Sequence, residues 1–313
     1  MRIVFMGSAA LACPCLEMLA ESRDVLVAAV TQPDRPKGRN LALQPCPLKL
    51  CARRLGLPVL TPESINTGES VAAVQGFAPD LVVVVAYGQL LKPRVLGIPL
   101  HGCVNVHASL LPRYRGAAPI QWTLVNGDSE TGVTTMFMDA GMDTGDIIHQ
   151  QRVAIREGET AGELHDRLAV AGADLLRRTL ESIRAGSAPR LVQDSAQATG
   201  APKLRKEDGR MQWTRTAVRL YHEINGFNPW PGSFCEAPAG SGRRLRVIRA
   251  TVEDASGYTG TPGTVVQPEG EGPLVMTGNG GLRLLEVQPE GRTRMTGRDY
   301  VHGHGVHAGT CLG

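Results

Sequence analysis

Residues 102–146 read GCVNVHASLLPRYRGAAPIQWTLVNGDSETGVTTMFMDAGMDTGD, two strand-like runs separated by loops rich in glycine and proline. The first run alternates β-branched and polar residues and ends at His107, so Asn105 and His107 are expected to point to the same face. The second run, near 132–138, breaks shortly before Asp143, which lies in a turn with glycine on both sides. An amide, an imidazole and a carboxylate at strand ends predict a catalytic site rather than a packing core.

Residues 2–190 alternate strand-like and helix-like patterns. Apolar runs near 2–6, 25–31 and 81–86 are typical of buried parallel strands, and helical spacing is clearest over 160–185. This alternation predicts an α/β fold with a doubly wound, mostly parallel sheet, whose ligand crevice lies at the carboxyl ends of the strands. The residues expected at those ends are Gly7, Pro33, Tyr87, His107 and Asp139. Gly7 stands alone rather than in a GxGxxG fingerprint, which disfavours a nicotinamide-dependent dehydrogenase.

The periodicity fails after residue 186, where small residues, proline and charges dominate. One helix-like stretch over 216–225 and five short strand-like runs between 233 and 287 follow, separated by glycine turns. These runs predict a small β-barrel. A chain of 313 residues suits two domains. We therefore expect a catalytic domain over 1–189, a linker over 190–206 and a β-barrel domain over 207–313.

The composition is typical of a soluble globular protein, with 42% hydrophobic and 20% charged residues. The net charge is only +3, so a site for a polyanion must be a local basic patch. The seven cysteines contain no CxxC pair, which favours reduced thiols in a cytoplasmic protein. The sequence contains no membrane-length apolar run of roughly 20 residues and no signal peptide. We expect a cytoplasmic protein without a membrane partner, and nothing in the sequence demands more than a monomer.

The motif NVHASLLPRYRGAAPIQW, followed by DAGMDTGD, resembles the folate-dependent formyltransferases. TQPDRPKGR at 31–39 and FNPWPGSF at 227–234 extend the resemblance over essentially the whole chain, to the members that act on a charged initiator tRNA. The resemblance implies a Rossmann-like domain that holds 10-formyltetrahydrofolate and an OB-like carboxyl domain that helps to hold the tRNA. The formyl group would pass to the α-amino group of methionine on initiator Met-tRNA. At Ser8-Ala9-Ala10-Leu11 the chain lacks the helix-capping Asp that is usual in the family.

The chemistry of formyl transfer can be assigned to the three polar side chains. It needs an amine nucleophile, a polarised formyl carbonyl and stabilisation of the oxyanion. Asn105 can donate an N–H to the formyl oxygen, and His107 can donate to the oxyanion or relay a proton. Asp143 can orient His107 and, through water, accept the amine proton. This chemistry needs no metal, and histidines 302, 304 and 307 are assigned none because no acidic or cysteine ligand accompanies them.

The resemblance also implies binding residues, each with a structural alternative. The folate site would be lined by Ser109, Leu110, Leu111 and Pro112, and by Tyr87, Gly88, Leu90 and Asp139. A basic loop formed by Arg35, Lys37 and Arg39 would enter the acceptor stem of the tRNA, although a charged run is usually a solvated turn. Lys203, Arg205 and Lys206 could extend a phosphate track, and an ordinary basic surface is the alternative.

Two kinds of alternative function stay open. Formyltransferases for glycinamide ribonucleotide or amino sugars, and formyltetrahydrofolate hydrolases, share the catalytic motif. The glycinamide enzymes normally have one domain, so residues 207–313 argue against them, and the basic loop favours a polyanionic acceptor over a sugar. A catalytically silent folate- or RNA-binding protein is the second alternative. Turnover with a labelled formyl donor distinguishes it from an enzyme.

Overall fold

A computed structural model describes residues 1–37 and 42–313. The chain forms two compact units. The first consists of Met1–Pro119, Glu130–Ala154 and His165–Pro202, and the second of Ile120–Ser129, Ile155–Leu164 and Lys203–Gly313. Among the described residues, no helix is both long and apolar enough to cross a membrane.

The described residues of the first unit form eleven strands, four complete helices, most of a fifth helix and the first residue of a sixth. The strands are β1 (Arg2–Gly7), β2 (Val25–Val30), β3 (Arg35–Lys37), β4 (Ala42–Gln44), β5 (Val59–Leu60), β6 (Leu81–Val85), β7 (Cys103–His107), β8 (Arg115–Gly116), β9 (Glu130–Phe137), β10 (Ile147–Ala154) and β11 (Gly200–Ala201). The helices are α1 (Cys13–Ala20), α2 (Pro47–Arg54), α3 (Gly68–Gly76), α4 (Pro93–Leu96), α5 (Pro119–Val125), which lies largely in the second unit, and α6 (Ala161–Arg184).

Seven of these strands form one sheet in the order β10-β9-β7-β6-β1-β2-β5. β5, β2, β1, β6 and β7 run parallel to one another, whereas β9 pairs antiparallel with β7 and with β10. β6 is buried along its whole length, as its unbroken valine run predicts for a strand covered on both faces. The predicted α/β fold is therefore confirmed, with a mixed sheet.

The direction of β9 corrects one expectation from the sequence. Because β9 is antiparallel to β7, His107 pairs with Thr134 in the middle of β9, and it is Val104 that pairs with Phe137 at the end of β9. Asp139 therefore does not follow a carboxyl end that lies beside His107. The antiparallel edge strand β10 and the two short sheets, β3 with β4 and β8 with β11, were not predicted either.

The second unit is β-rich. Its strands are β12 (Ser233–Glu236), β13 (Arg244–Glu253), β14 (Val265–Gln267), β15 (Leu274–Met276), β16 (Gly281–Pro289) and β17 (Met295–Thr296), with helices α7 (Ala217–Gly226) and α8 (Gly297–His304). They form an antiparallel sheet in the order β12-β13-β16-β15-β14, with β17 beside β16. Within the described ranges no pairing joins the end strands β12 and β14, so a closed barrel is not confirmed.

Helix α7 covers the sheet of the second unit. Thr216 caps the helix by accepting a hydrogen bond from the backbone N–H of Arg219. Leu220 and Ile224, one turn apart on the same face, are both buried in the core with Trp213. Histidines 302 and 304 lie in the last turn of helix α8.

Candidate active site

Asn105 and His107 project from the same face of β7, as the alternation of the strand predicts. The intervening Val106 faces α6, where a Cβ atom on Gly172 would lie 3.2 Å from its Cγ1. Asn105 is 8% exposed and His107 is 6% exposed, so both polar side chains are largely withdrawn from water. Both contact Asp143: the Asn105 Nδ2 donates to Oδ1 at 3.3 Å, and His107 Nδ1 lies 3.7 Å from Oδ2. The structure thus brings the three predicted catalytic residues together.

Asp143 reaches β7 because the loop after β9 folds back on itself. Asp139 stabilises this loop through one oxygen, Oδ1, which accepts from the Gly141 N–H at 3.0 Å and from Thr144 Oγ1 at 2.7 Å. Asp143 has a φ of +56°, a left-handed conformation that aspartate tolerates better than most residues. Gly145 packs so closely against the carbonyl of Phe137 that a Cβ atom would clash there. The loop is therefore specified by its glycines and by its own hydrogen bonds.

The backbone fixes the ring of His107. Its Nε2 lies 2.9 Å from the carbonyl oxygen of Tyr114, which can only accept, so Nε2 carries a hydrogen. The other ring nitrogen, Nδ1, faces Asp143. In the neutral ring this nitrogen presents a lone pair to the carboxylate, and in the charged ring it presents an N–H. The separation of 3.7 Å exceeds a direct hydrogen bond, so both groups are able to contact a third polar group that lies beside them.

The backbone N–H of Gly116 supplies a further contact to the carboxylate, donating to Asp143 Oδ2 at 2.9 Å.

Burial raises the pKa of the neighbouring Cys103 thiol to about 12. A thiol with such a pKa is almost wholly protonated near neutral pH, so Cys103 does not serve as a nucleophile. Among residues 1–37 and 42–313, no group of three or more His, Cys, Asp or Glu side chains is placed to hold a metal ion.

Thr134 and Gln150 support the loop that contains residues 109–112. The Thr134 hydroxyl donates to the Ser109 carbonyl at 2.7 Å and accepts from the Leu111 N–H at 3.1 Å. Gln150 Nε2 donates to the Leu111 carbonyl at 2.8 Å. Ser109 and Leu111 are buried by this packing, whereas Leu110 and Pro112 are half-buried. The loop is thus held rigidly, with its even-numbered side chains the more accessible.

The other four predicted folate residues, Tyr87, Gly88, Leu90 and Asp139, are divided between the core and the surface. Ala86 has a φ of +46°, and the chain turns so that Tyr87 packs in the core with Ile65 and Leu91. Burial raises the pKa of Tyr87 to about 12. The side chain of Tyr87 is thus withdrawn from a ligand, whereas Gly88 is exposed. The remaining two predicted residues, Leu90 and Asp139, are also exposed.

The structure describes five of the six predicted basic residues, and the side chains of four of them are exposed. Arg35 begins the β3–β4 hairpin and pairs with Glu63 at 3.2 Å, with both side chains largely exposed. Lys37 ends β3, and Arg39 lies outside the described residues. The remaining three, Lys203, Arg205 and Lys206, are exposed in the second unit.

Sequence reasoning missed several polar groups that support the site. Thr134 and Gln150 lie on strands β9 and β10, and Gln193 lies in the segment predicted as a linker. Gln193 is only 7% exposed and bonds to the loop of Asp143. Three threonines of β9, at positions 131, 134 and 135, are buried, so a polar residue in this strand is a weak signal that does not distinguish Thr134 from the other two. The sequence around Gln193 carries not even that signal.

Comparisons with known proteins cover both units. Residues 1–180 match the family described as formyl transferase, and residues 203–305 match the formyl transferase C-terminal domain. The methionyl-tRNA formyltransferase of Geobacter sulfurreducens is 46% identical over 313 residues, which span 100% of this chain and 97% of that protein.

Solved structures with lower identity share the fold. WlaRD, a sugar 3N-formyl transferase crystallised with dTDP and 5-N-formyl-THF, superposes with a TM-score of 0.66 at 17% identity, covering 94% of this chain and 99% of that one. HypX from Aquifex aeolicus in complex with tetrahydrofolic acid superposes with a TM-score of 0.62 at 15% identity, covering 96% of this chain and 47% of that one.

Proposed function

The chain belongs to the formyl transferase family, and we propose that it transfers the formyl group of 10-formyltetrahydrofolate to the α-amino group of methionine on initiator Met-tRNA. The family resemblance expected from the sequence is confirmed by both matched domains and by the full-length relative at 46% identity. The convergence of Asn105, His107 and Asp143 around one small polar space carries the proposal. It supplies the amide donor, imidazole and carboxylate that formyl transfer to an amine requires.

The reaction proceeds by attack of the methionine nitrogen on the formyl carbon. The second N–H of Asn105 donates to the formyl oxygen and stabilises the negative charge that develops there. A free α-amine has a pKa near 7.7 to 8.0 and is mostly protonated at pH 7, so a proton acceptor must lie beside it. Asp143 accepts this proton through water, next to His107 Nδ1. The bond between the formyl carbon and N10 then breaks, and N10 gains a proton as tetrahydrofolate leaves.

His107 holds its place throughout, because its Nε2–H stays bonded to the Tyr114 carbonyl. Nδ1, which faces Asp143, is therefore the ring nitrogen that can gain or lose a proton during the reaction. A charged ring there stabilises the oxyanion of the tetrahedral intermediate. A neutral ring receives the second proton, which the nitrogen loses after it has attacked, and passes it to N10. The imidazole therefore relays a proton from a fixed orientation.

The binding assignments are part of the same proposal. The donor folate contacts the loop over 109–112 and the backbone over 87–90, with Asp139 shaping the facing loop. Arg35, Lys37 and Arg39 contact the acceptor stem, and Lys203, Arg205 and Lys206 contact phosphates further along the tRNA. Arg35 suits this role because its exposed pair with Glu63 is worth no more than about 1 kcal/mol and is readily given up.

The proposal also covers the second unit and the cellular setting. An OB-like fold for residues 207–313 is supported by the antiparallel order of β12 to β17 and by the register shifts along β13. The domain boundaries at 189 and 206 remain predictions. A charged initiator tRNA as acceptor favours a cytoplasmic protein that acts as a monomer.

The test offers labelled 10-formyltetrahydrofolate with charged initiator Met-tRNA, uncharged tRNA and an amino-sugar nucleotide in parallel. Label on charged Met-tRNA alone is the expected result. Label on the sugar, or release of formate without an acceptor product, would overturn the assigned acceptor. WlaRD, described as a sugar 3N-formyl transferase, shares the fold at 17% identity, so an amino-sugar nucleotide is the appropriate competitor.

A further inference from the structure

Gln193 uses all of its side-chain hydrogen-bonding capacity between two loops of the active site. Its Nε2 donates to the backbone carbonyls of Asp143 at 2.9 Å and Gly145 at 2.8 Å. Its Oε1 accepts from Arg115 Nε at 3.1 Å and Nη2 at 2.8 Å. An amide offers two donors and two acceptor lone pairs, so every one of them is engaged. If the Gln193 amide were flipped, its oxygen would face the carbonyls of Asp143 and Gly145 and its NH₂ group would face the Arg115 guanidinium. The orientation of the amide is therefore fixed.

We propose that Gln193 is a positioning residue for Asp143, on the basis of the proposed formyl transfer. The Asp143 backbone is left-handed, at a φ of +56°, and needs its surroundings to hold it there. The two carbonyl bonds from Gln193 flank residue 144 and fix the peptide geometry on both sides of this turn. Gln193 thereby sets the direction in which the Asp143 carboxylate leaves the backbone.

The segment that follows Gln193 fixes the other side of the same carboxylate. Thr199 accepts from the Tyr114 N–H through Oγ1 at 2.8 Å and from the Arg115 N–H through its carbonyl at 2.8 Å. A Cβ atom on Gly116 would lie 2.7 Å from the Ala201 carbonyl oxygen, so the two backbones are in close approach. Residues 193–201 thus hold Gly116, whose N–H bonds to Asp143. This segment, residues 193–201, which we call the strap, therefore positions both the Asp143 carboxylate and the Gly116 N–H that donates to it.

Three variants test this role. Gln193→Met keeps the length of the side chain and removes all four hydrogen bonds. Gln193→Glu keeps the acceptor for Arg115 but loses both donors to the Asp143 loop. Gln197→Met is the matched control, since Gln197 lies four residues away, is exposed and bonds only within its own turn, to Asp194 at 2.8 Å.

Each variant is assayed for kcat, for the KM of both substrates and for amide hydrogen exchange at Gly116 and Ala118. Both Gln193 variants should lower kcat by about 10- to 100-fold, because small misplacement of a catalytic group has effects of this size. Each KM should stay within threefold. The Gly116 amide should exchange at least tenfold faster, while the Ala118 amide, bonded to the Ala201 carbonyl, stays protected. Gln197→Met should match the wild type.

Two results would overturn the positioning role. One is a kcat within threefold of the wild type for Gln193→Glu, which would assign the effect to Arg115 alone. The other is equal loss of protection at Gly116 and Ala118, which would indicate general loosening of the strap. The exchange measurement requires no acceptor. If the wild type formylated no tRNA, the proposed function would fail while the role of Gln193 would still be decided.

Discussion

Replacing Asp143 with asparagine preserves the shape of the side chain but removes its charge and one of its two acceptor oxygens. The native carboxylate accepts from Asn105 Nδ2 at 3.3 Å and from the Gly116 N–H at 2.9 Å, on different oxygens. The asparagine oxygen is expected to keep the shorter bond to Gly116, which leaves its NH₂ group facing Asn105. Asn105 can restore a hydrogen bond by rotating its own amide through half a turn.

The loss of stability and the loss of catalytic rate caused by Asp143→Asn can be told apart by their sizes. One weakened bond to a formerly charged acceptor should lower the free energy of unfolding by about 1 to 2 kcal/mol. Loss of the proton acceptor should lower the transfer rate by about 10² to 10⁴-fold. This factor corresponds to roughly 3 to 5 kcal/mol in activation free energy. The catalytic loss therefore exceeds the structural one if Asp143 has the proposed role.

The assay measures single-turnover formyl transfer to Met-tRNA alongside thermal unfolding. Asp139→Asn is the control in the same loop, because asparagine retains the one oxygen, Oδ1, through which Asp139 bonds Gly141 and Thr144. The control should keep its rate within about threefold, since no hydrogen bond is lost. An Asp143→Asn enzyme that retains more than about a tenth of the wild-type rate would refute Asp143 as the proton acceptor.

Three further predictions concern the loop support, the tRNA contact and stability. Thr134→Val removes the hydroxyl that bonds the Ser109 carbonyl and the Leu111 N–H. Denaturant unfolding should show a free energy of unfolding lower by about 1 to 3 kcal/mol, and steady-state kinetics should show a higher KM for folate. Arg35→Ala should raise the KM for tRNA and reduce the slope of log KM against log salt by about one, and an unchanged slope would contradict a phosphate contact. Asp24→Asn should lower the free energy of unfolding at pH 7 by about 3 kcal/mol, because it leaves Arg184 and the amino terminus unpaired in a buried site.

The pH dependence of the Asp24 effect follows from the direction of its pKa shift. Burial raises the pKa of Asp24, but hydrogen bonds from Arg184 and the terminal amine outweigh burial and lower it overall. A carboxyl with a lowered pKa in the folded state stabilises the protein above its unfolded pKa, near 4, and loses this effect as the pH falls through the folded value. The difference in unfolding temperature between wild type and Asp24→Asn should therefore narrow below about pH 4. A constant difference would contradict the assignment.

The regular elements could be predicted because their patterns are local. The valine run of β6 indicates burial on both faces, which the structure confirms, and the five residues of β7 are likewise all buried. The alternation of β7 also placed Asn105 and His107 on one face. The direction of β9 could not be predicted in this way, because parallel and antiparallel neighbours impose the same period of two on a strand.

The parts of the site that escaped prediction depend on contacts between distant residues. Gln193 lies 50 residues from Asp143 along the chain, and its sequence surroundings resemble a linker. Tyr87 was expected at the crevice, but the left-handed turn at Ala86 directs its ring into the core. Single hydrogen-bonding side chains and single backbone turns leave no period in the sequence. Their roles become visible only once the loops are assembled.

The most direct test of the central claim is the position and stoichiometry of the transferred formyl group. Met-tRNA is incubated with formyl-labelled 10-formyltetrahydrofolate, the amino acid is released by mild base, and its mass and the amount of tetrahydrofolate formed are measured. The account predicts one N-formylmethionine for each tetrahydrofolate, with loss of the product in Asp143→Asn. Tetrahydrofolate formed with free formate and unmodified methionine would contradict it.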